Sequence, residues 1–234
     1  MSIAFRSVAN GLISNTVSPA ITAPAGLTDG DLIIVHIATN STETVNTVLA
    51  GWTQMGTTQD QSSDSSMFIL YKIASSEGAS WTFTNLFNAN EFGVYASFAY
   101  SGVDGTSPLD VAVVQGDLGN VTTAGASTGS IMPTSANCMV FSMYGGDPGA
   151  KTRTATAEYT ERTDYTGTTT YGWVYAQEHI QGAAAAETHK ITPNETEGIC
   201  YMIMAIRPSG GVAAGGAFSP LAGPLGGRLA GMID

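Results

Sequence analysis

The chain has 234 residues, 43% of them apolar, which is enough for one sizeable core and excludes wholesale disorder. Only 12% are charged, and Lys and Arg together number 8 against a formal net charge of −11. No basic patch is available to neutralise phosphates, so nucleic-acid binding is excluded, and no stretch is long and apolar enough to span a bilayer.

The opening Met1-Ser2-Ile3-Ala4-Phe5-Arg6 has no apolar signal core, so a protein that stays in, or is assembled in, a cytoplasm is expected. From there strand signals recur between Gly, Asn and Asp clusters, and no 3.6-residue period is sustained. Asp31–Thr39 (DLIIVHIAT) is apolar on both faces and reads as a central strand covered on both sides. Met67–Ala74 (MFILYKIA) puts Lys72 opposite Ile69, Tyr71 and Ile73, which predicts one core face and one partly wetted face. Trp81–Thr84, Gly93–Tyr100, Cys138–Tyr144, Tyr171–Gln177 and Gly198–Ile206 complete the clear strands, the last again apolar on both faces. Cys138 and Cys200 each lie in an apolar strand, where Cys acts as a small hydrophobe, and a bridge between neighbouring strands is an alternative.

These strands come twice in the same order. Asp31-Leu-Ile-Ile-Val parallels Asn137-Cys-Met-Val-Phe at an offset of 106, and Gly51-Trp52-Thr53-Gln54 parallels Glu158-Tyr159-Thr160-Glu161 at 107. Phe68–Tyr71 parallels Gly172–Tyr175 at 104, and Gly93–Ala96 parallels Ile199–Met202 at 106. The prediction is an all-β, jelly-roll-like antiparallel β-sandwich over residues 1–208, with pseudo-repeats at about 25–104 and 137–207 joined by Ser101–Ser135. Each half alone would bare an apolar face, so one shared core is expected.

After Arg207-Pro208 the composition changes. Residues 209–234 carry Gly and Pro every few positions, too many for regular structure, yet Phe218, Leu221, Leu225, Leu229, Met232 and Ile233 recur among them. A solvated linker lacks such apolar residues. This extended C-terminal tail, with Arg228, is therefore the predicted partner-binding segment.

Signals of chemistry are weak. Gly125-Ala-Ser127-Thr-Gly129 matches G-x-S-x-G, but neither an apolar strand precedes it nor a helix pattern follows, so no nucleophile elbow is expected. His36 reads as a core histidine. His179 and His189, with Glu178 and Glu187, could hold a metal at the surface, although further ligands at close spacing are lacking. Asp29 with Asp31, and Asp60 with Asp64, read as turn caps rather than calcium ligands. Trp52, Trp81 and Trp173 could stack on sugars if exposed, but packing inside the fold is the expectation. No catalytic residue, cofactor or metal is predicted.

Gly30-Asp31-Leu-Ile-Ile, Gly51-Trp52-Thr53, Leu70-Tyr71-Lys72-Ile-Ala74, Trp81-Thr-Phe-Thr84 and Ala99-Tyr100-Ser101-Gly102-Val103-Asp104 together resemble a β-sandwich domain of tailed-bacteriophage and prophage structural proteins. The resemblance covers roughly residues 25–115, with a degraded copy at 137–207 that lacks the Tyr-Ser-Gly-Val-Asp element. It marks no active site. It implies a virion component assembled in a host cytoplasm and held on the particle surface. The role would be capsid decoration by a homo-oligomer or, alternatively, a tail fibre or appendage contacting the host. The implied partners are other copies of the chain and a neighbouring capsid or tail protein, with a host-surface glycan as a further candidate. A carbohydrate-binding module is the alternative from another class.

Overall fold

The computed structural model describes residues 2–61, 65–146, 151–168 and 170–210. The apolar runs are strands, and the chain is all-β. Its first half forms β1 (Ala4–Thr16), β2 (Ala20–Thr22), β3 (Leu32–Thr39), β4 (Thr53–Gln61), β5 (Ser65–Ile73), β6 (Ser80–Thr82) and β7 (Glu91–Ser101). Five of these make one antiparallel sheet in the order β1-β7-β3-β5-β4, while β2 pairs with β6. The second half forms β8 (Val114–Val121), β9 (Ala126–Ser127), β10 (Cys138–Gly146), β11 (Arg153–Ala155), β12 (Thr160–Thr166), β13 (Trp173–Gln181), β14 (Lys190–Pro193) and β15 (Glu197–Ile206). Its main sheet runs β8-β15-β10-β13-β12, the same order with each strand replaced by its repeat. Strands are thus dealt to the two sheets by halves, not alternately as along a jelly-roll path. Each structural unit also begins earlier than its sequence repeat, since β1 and β8 are edge strands whose polar, Gly-containing sequences carry little apolar signal.

Alternation along the strands explains the layers. Leu32, Ile34 and Ala38 of β3, Met67 and Ile69 of β5, and Val94, Ala96, Phe98 and Tyr100 of β7 face Met139, Phe141 and Met143 of β10 and Cys200, Met202, Met204 and Ile206 of β15. This is the shared core between the sheets. The opposite faces are covered as well. Ile33, Val35, Ile37, Phe68 and Leu70 lie under Trp52, Trp81, Phe83, Leu86 and Phe87, and the outer face of the second sheet lies under the small sheet β11-β14-β9. Strands β3 and β15 are buried along their whole length, as expected for central strands covered on both sides.

The pairing register corrects two of the four repeat offsets. Leu32, Ile34 and Ala38 face the shared core, and so do Met139, Phe141 and Met143, whereas Cys138 and Val140 face outward. An offset of 106 between β3 and β10 would equate inward with outward residues, because a one-residue slip turns every side chain over. Val35 pairs with Leu70 and Ser142 pairs with Gln177, so both β3→β10 and β5→β13 run at 107, replacing 106 and 104. The offsets of 107 for β4→β12 and 106 for β7→β15 keep their faces. The same geometry settles the cysteines: Cys138 faces the outer layer and Cys200 the shared core, and they form no disulfide.

The crossing between halves is fixed by Asp110. Its carboxylate accepts from the Ser135 hydroxyl (2.6 Å) and backbone N–H (3.1 Å), from the Thr134 hydroxyl (2.9 Å) and backbone N–H, and from Arg207 Nε (3.1 Å). Burial alone would raise its pKa, but the bonds from Ser135 and Thr134 outweigh burial and bring it down to about 2. A depressed folded-state pKa means that this stabilisation is complete above the ordinary value of 3.8 and is lost as pH falls toward 2. Asp110→Ala should therefore cost roughly 3 kcal/mol at pH 7, since several buried donors lose their acceptor together. Urea midpoints of the two proteins measure it.

Candidate functional site

The halves differ most on their outer faces. Val35, Ile37, Phe68 and Leu70 in the first half correspond to Ser142, Tyr144, Tyr175 and Gln177 in the second, each apolar side chain replaced by one that forms hydrogen bonds. Polar groups withdrawn from water need partners, and these have them. Gln177 Nε2 donates to Tyr144 Oη (3.2 Å) and to the Lys190 carbonyl (2.9 Å), and Tyr175 Oη donates to Gln177 Oε1 (3.5 Å).

Beside them runs a chain of titratable groups. Ser142 Oγ lies 2.7 Å from His189 Nδ1, and His189 Nε2 lies 2.8 Å from Glu187 Oε1. His179 Nδ1 meets the same carboxylate oxygen at 2.9 Å. Tyr159 stacks on His189 at 4.2 Å between centroids, and its hydroxyl donates to the Thr188 carbonyl. Burial pushes the His189 pKa down, with Glu187 only partly opposing it, so His189 is neutral near pH 7. For Glu187 burial acts upward, yet the bonds from His189 and His179 prevail and lower its pKa. An ionised carboxylate only accepts, so His189 Nε2 and His179 Nδ1 carry the protons, and the Ser142 hydroxyl donates to His189 Nδ1.

Serine, histidine and glutamate in a row are the groups of a hydrolase triad. Here Ser142 and His189 are fully buried beneath β9 and β14, and only His179, 40% exposed, opens to solvent. A substrate carbonyl cannot reach the Ser142 oxygen. What the arrangement does chemically is tie the small sheet to the main one: His189 reaches Ser142 of β10 and Glu187 reaches His179 of β13, while the His189 backbone is held beside β9 by its N–H donating to Thr128 Oγ1 and its carbonyl accepting from Thr128 N–H.

The other sequence candidates separate in space. Glu178 leaves the histidines, pointing into the seam between the sheets, where it accepts from Tyr100 Oη (2.6 Å) and pairs with Arg162. The expected grouping of Glu178 with His179, Glu187 and His189 is thus corrected, because adjacent strand residues face opposite ways. Among the described residues no group of three or more His, Cys, Asp or Glu is arranged to hold a metal ion. Ser127 lies on β9, paired with Lys190, and no helix follows it. Asp29 accepts from Ser76 N–H, Asp31 from Thr28 and Arg6, and Asp60 from Ser66, which is turn and strand-end capping, and Asp64 lies outside the described residues. Trp52 and Trp81 pack edge to face at 5.0 Å, and Trp173 is fully buried under the Arg153 guanidinium. None of the three offers a face to a sugar.

Trp173 Nε1 is buried without a hydrogen-bond partner, and so is the whole imidazole of His36. It faces the shared core on β3, fully buried, and neither ring nitrogen has a hydrogen-bond partner. Burial lowers its pKa to about 3, so it is neutral throughout the physiological range.

Sequence reasoning missed Ser142, Tyr159 and Thr128. A signal for Ser142 existed, the lone serine in CMVFSMY, but it stands out against Val35 only at the corrected offset. The tail residues Phe218, Leu221, Leu225, Arg228, Leu229, Met232 and Ile233 lie outside the described residues. Comparison with protein-family models, with curated proteins and with solved structures finds no match to this chain.

Proposed function

We propose that the chain is a non-enzymatic structural protein of a tailed-phage particle, a capsid decoration protein held on the particle surface by its C-terminal tail. The observation that carries this reading is the contrast at residue 210. Up to there the aromatic and ionisable side chains singled out above are taken up by packing, capping and ion pairs within the sandwich. Beyond it the sequence offers apolar side chains on a Gly/Pro frame that cannot build a core of its own. Such a segment gains stability only against a surface supplied by something else. The net charge of −11 suits a particle exterior and opposes contact with packaged nucleic acid. The burial of Trp52, Trp81 and Trp173 weighs against a sugar-binding module built on them.

Removing residues 211–234 should leave a folded sandwich with an unchanged far-UV spectrum, because no strand extends past Ile206 among the described residues. The truncated protein should no longer co-sediment with particles lacking the native protein. Retained co-sedimentation would refute anchoring by the tail.

A further inference from the structure

The two main sheets end in four edge strands, and one of them is unlike the other three. An edge strand presents unpaired backbone N–H and C=O groups, and proteins blunt such edges with bulges, charges and proline. β4 breaks its register between Met55 and Gln59 and carries Asp60, and β8 breaks between Asp117 and Asn120. β12 breaks between Glu161 and Thr163 and carries Arg162 and Asp164 as well. None of the three keeps an unbroken stretch longer than four residues. β1 keeps seven, Ser7–Ile13, paired with Gly93–Ala99 of β7 between two bulges. The stretch contains no charge and no proline. Arg6, the one charged residue of β1, sits in the first bulge and is held by Asp31 at 2.6 Å. Among the described residues, no backbone hydrogen bond reaches Ser7–Ile13 from any element but β7. Leu12 lies in the same stretch and is 41% exposed.

The edge is complementary to itself. The unbroken stretch has its midpoint at Asn10, so two copies related by a two-fold axis there pair antiparallel along its whole length. Asn10 then stands opposite Asn10 of the other copy, and Val8 opposite Leu12. Residues directly opposite share a face, and Val8 and Leu12 both point to the shared-core side, as their β7 partners Phe98 and Val94 do. Each exposed Leu12 is thereby covered by Val8 of the other copy. Charge points the same way. At a net −11 two copies repel each other over most of their surface, but β1, the longest strand, has no carboxylate to set against another. We propose that β1 is a self-pairing edge: two copies join β1 to β1 about a two-fold axis at Asn10, and the five-stranded sheets of both become one continuous sheet. The pairing does not rest on the particle reading and adds to it the surface by which copies meet.

Sedimentation of the full-length chain tests it. At about 100 μM, two decades above a micromolar dissociation constant, the protein should run at twice its 24.1 kDa. Asn10→Asp keeps the oxygen that accepts from Thr163 Oγ1 but sets two carboxylates against each other across the axis. It should weaken the dimer at least roughly tenfold while leaving the far-UV spectrum unchanged. Under mild oxidation Asn10→Cys should form a covalent dimer, because the two Cβ atoms stand about 4.5–5.5 Å apart. Leu12→Cys should not, since its twin lies four residues along the strand, roughly 14 Å away. The native Cys138 and Cys200 are buried and take no part. A monomer at that concentration would overturn the pairing and leave the edge to a strand of another protein. A dimer that Asn10→Asp leaves intact would also overturn it, and so would a Leu12→Cys chain that cross-links as fast as Asn10→Cys. No particle enters these measurements, so their failure leaves anchoring by the tail to be judged by the truncation alone.

Discussion

His36→Met should raise the stability of the protein at pH 7 and remove most of its acid sensitivity between pH 6.5 and 3. The imidazole is buried in the shared core with both nitrogens unpartnered, and a buried polar group without a hydrogen bond costs about 1–3 kcal/mol. Met143 is the equivalent residue in the second half, in the same layer, so methionine fits this position of the repeat. The pH dependence follows from burial, which lowers the folded-state pKa to about 3 from 6.5. The unfolded chain takes up the proton first. Stability is therefore complete above pH 6.5 and declines as pH falls, by about 1.4 kcal/mol per unit, until the folded-state value is reached. Urea unfolding should show a stability gap between variant and wild type about 3 kcal/mol wider at pH 4 than at pH 7. Parallel pH profiles would contradict this account of His36. The Asp110 contribution is lost lower, between 3.8 and about 2, so the two can be separated.

Arg153→Ala should destabilise the protein by about 3–5 kcal/mol. Arg153 is fully buried on β11, and its fork meets Glu197 of β15 through Nε (3.0 Å) and Nη2 (2.8 Å). Nη1 reaches Asp164 of β12 at 3.0 Å, and the guanidinium plane covers Trp173 of β13 at 3.6 Å. Truncation leaves Glu197 buried without its cation and opens a void over the indole. Because Arg153 fastens the small sheet to three strands of the main one, hydrogen exchange should accelerate first in β9 and β14. Arg153→Lys should recover only part of the loss, since an ammonium cannot form the fork or stack on the ring. An alanine variant as stable as wild type would show that the network adds nothing beyond its own desolvation cost.

The apolar strands, their duplication and the shared core were legible because burial on both faces leaves a dense run, as in LIIVHIAT and ICYMIMAI. The edge strands β1 and β8 were not, since edge residues are half solvated and Ser, Asn and Gly there carry no period. The repeat itself was read, but identities such as Leu-Ile-Ile against Cys-Met-Val set its offset one residue out, and only hydrogen-bonded register decides which face a residue takes. That one residue concealed the divergence of the halves. Once Val35 is set against Ser142, and Leu70 against Gln177, the polar outer layer stands out. The Ser142–His189–Glu187–His179 chain joins β10, β13 and the approach to β14, and spacing along the sequence gives no hint of it.

The proposal at the centre of this account is that the sandwich is a repeated component of a particle surface. Quantitative mass spectrometry of virus particles purified from cells that express it tests that proposal most directly. Copies on the order of hundreds per particle are predicted, as a symmetric lattice requires. Absence from the particles would contradict the account, and a handful of copies would contradict the decoration role.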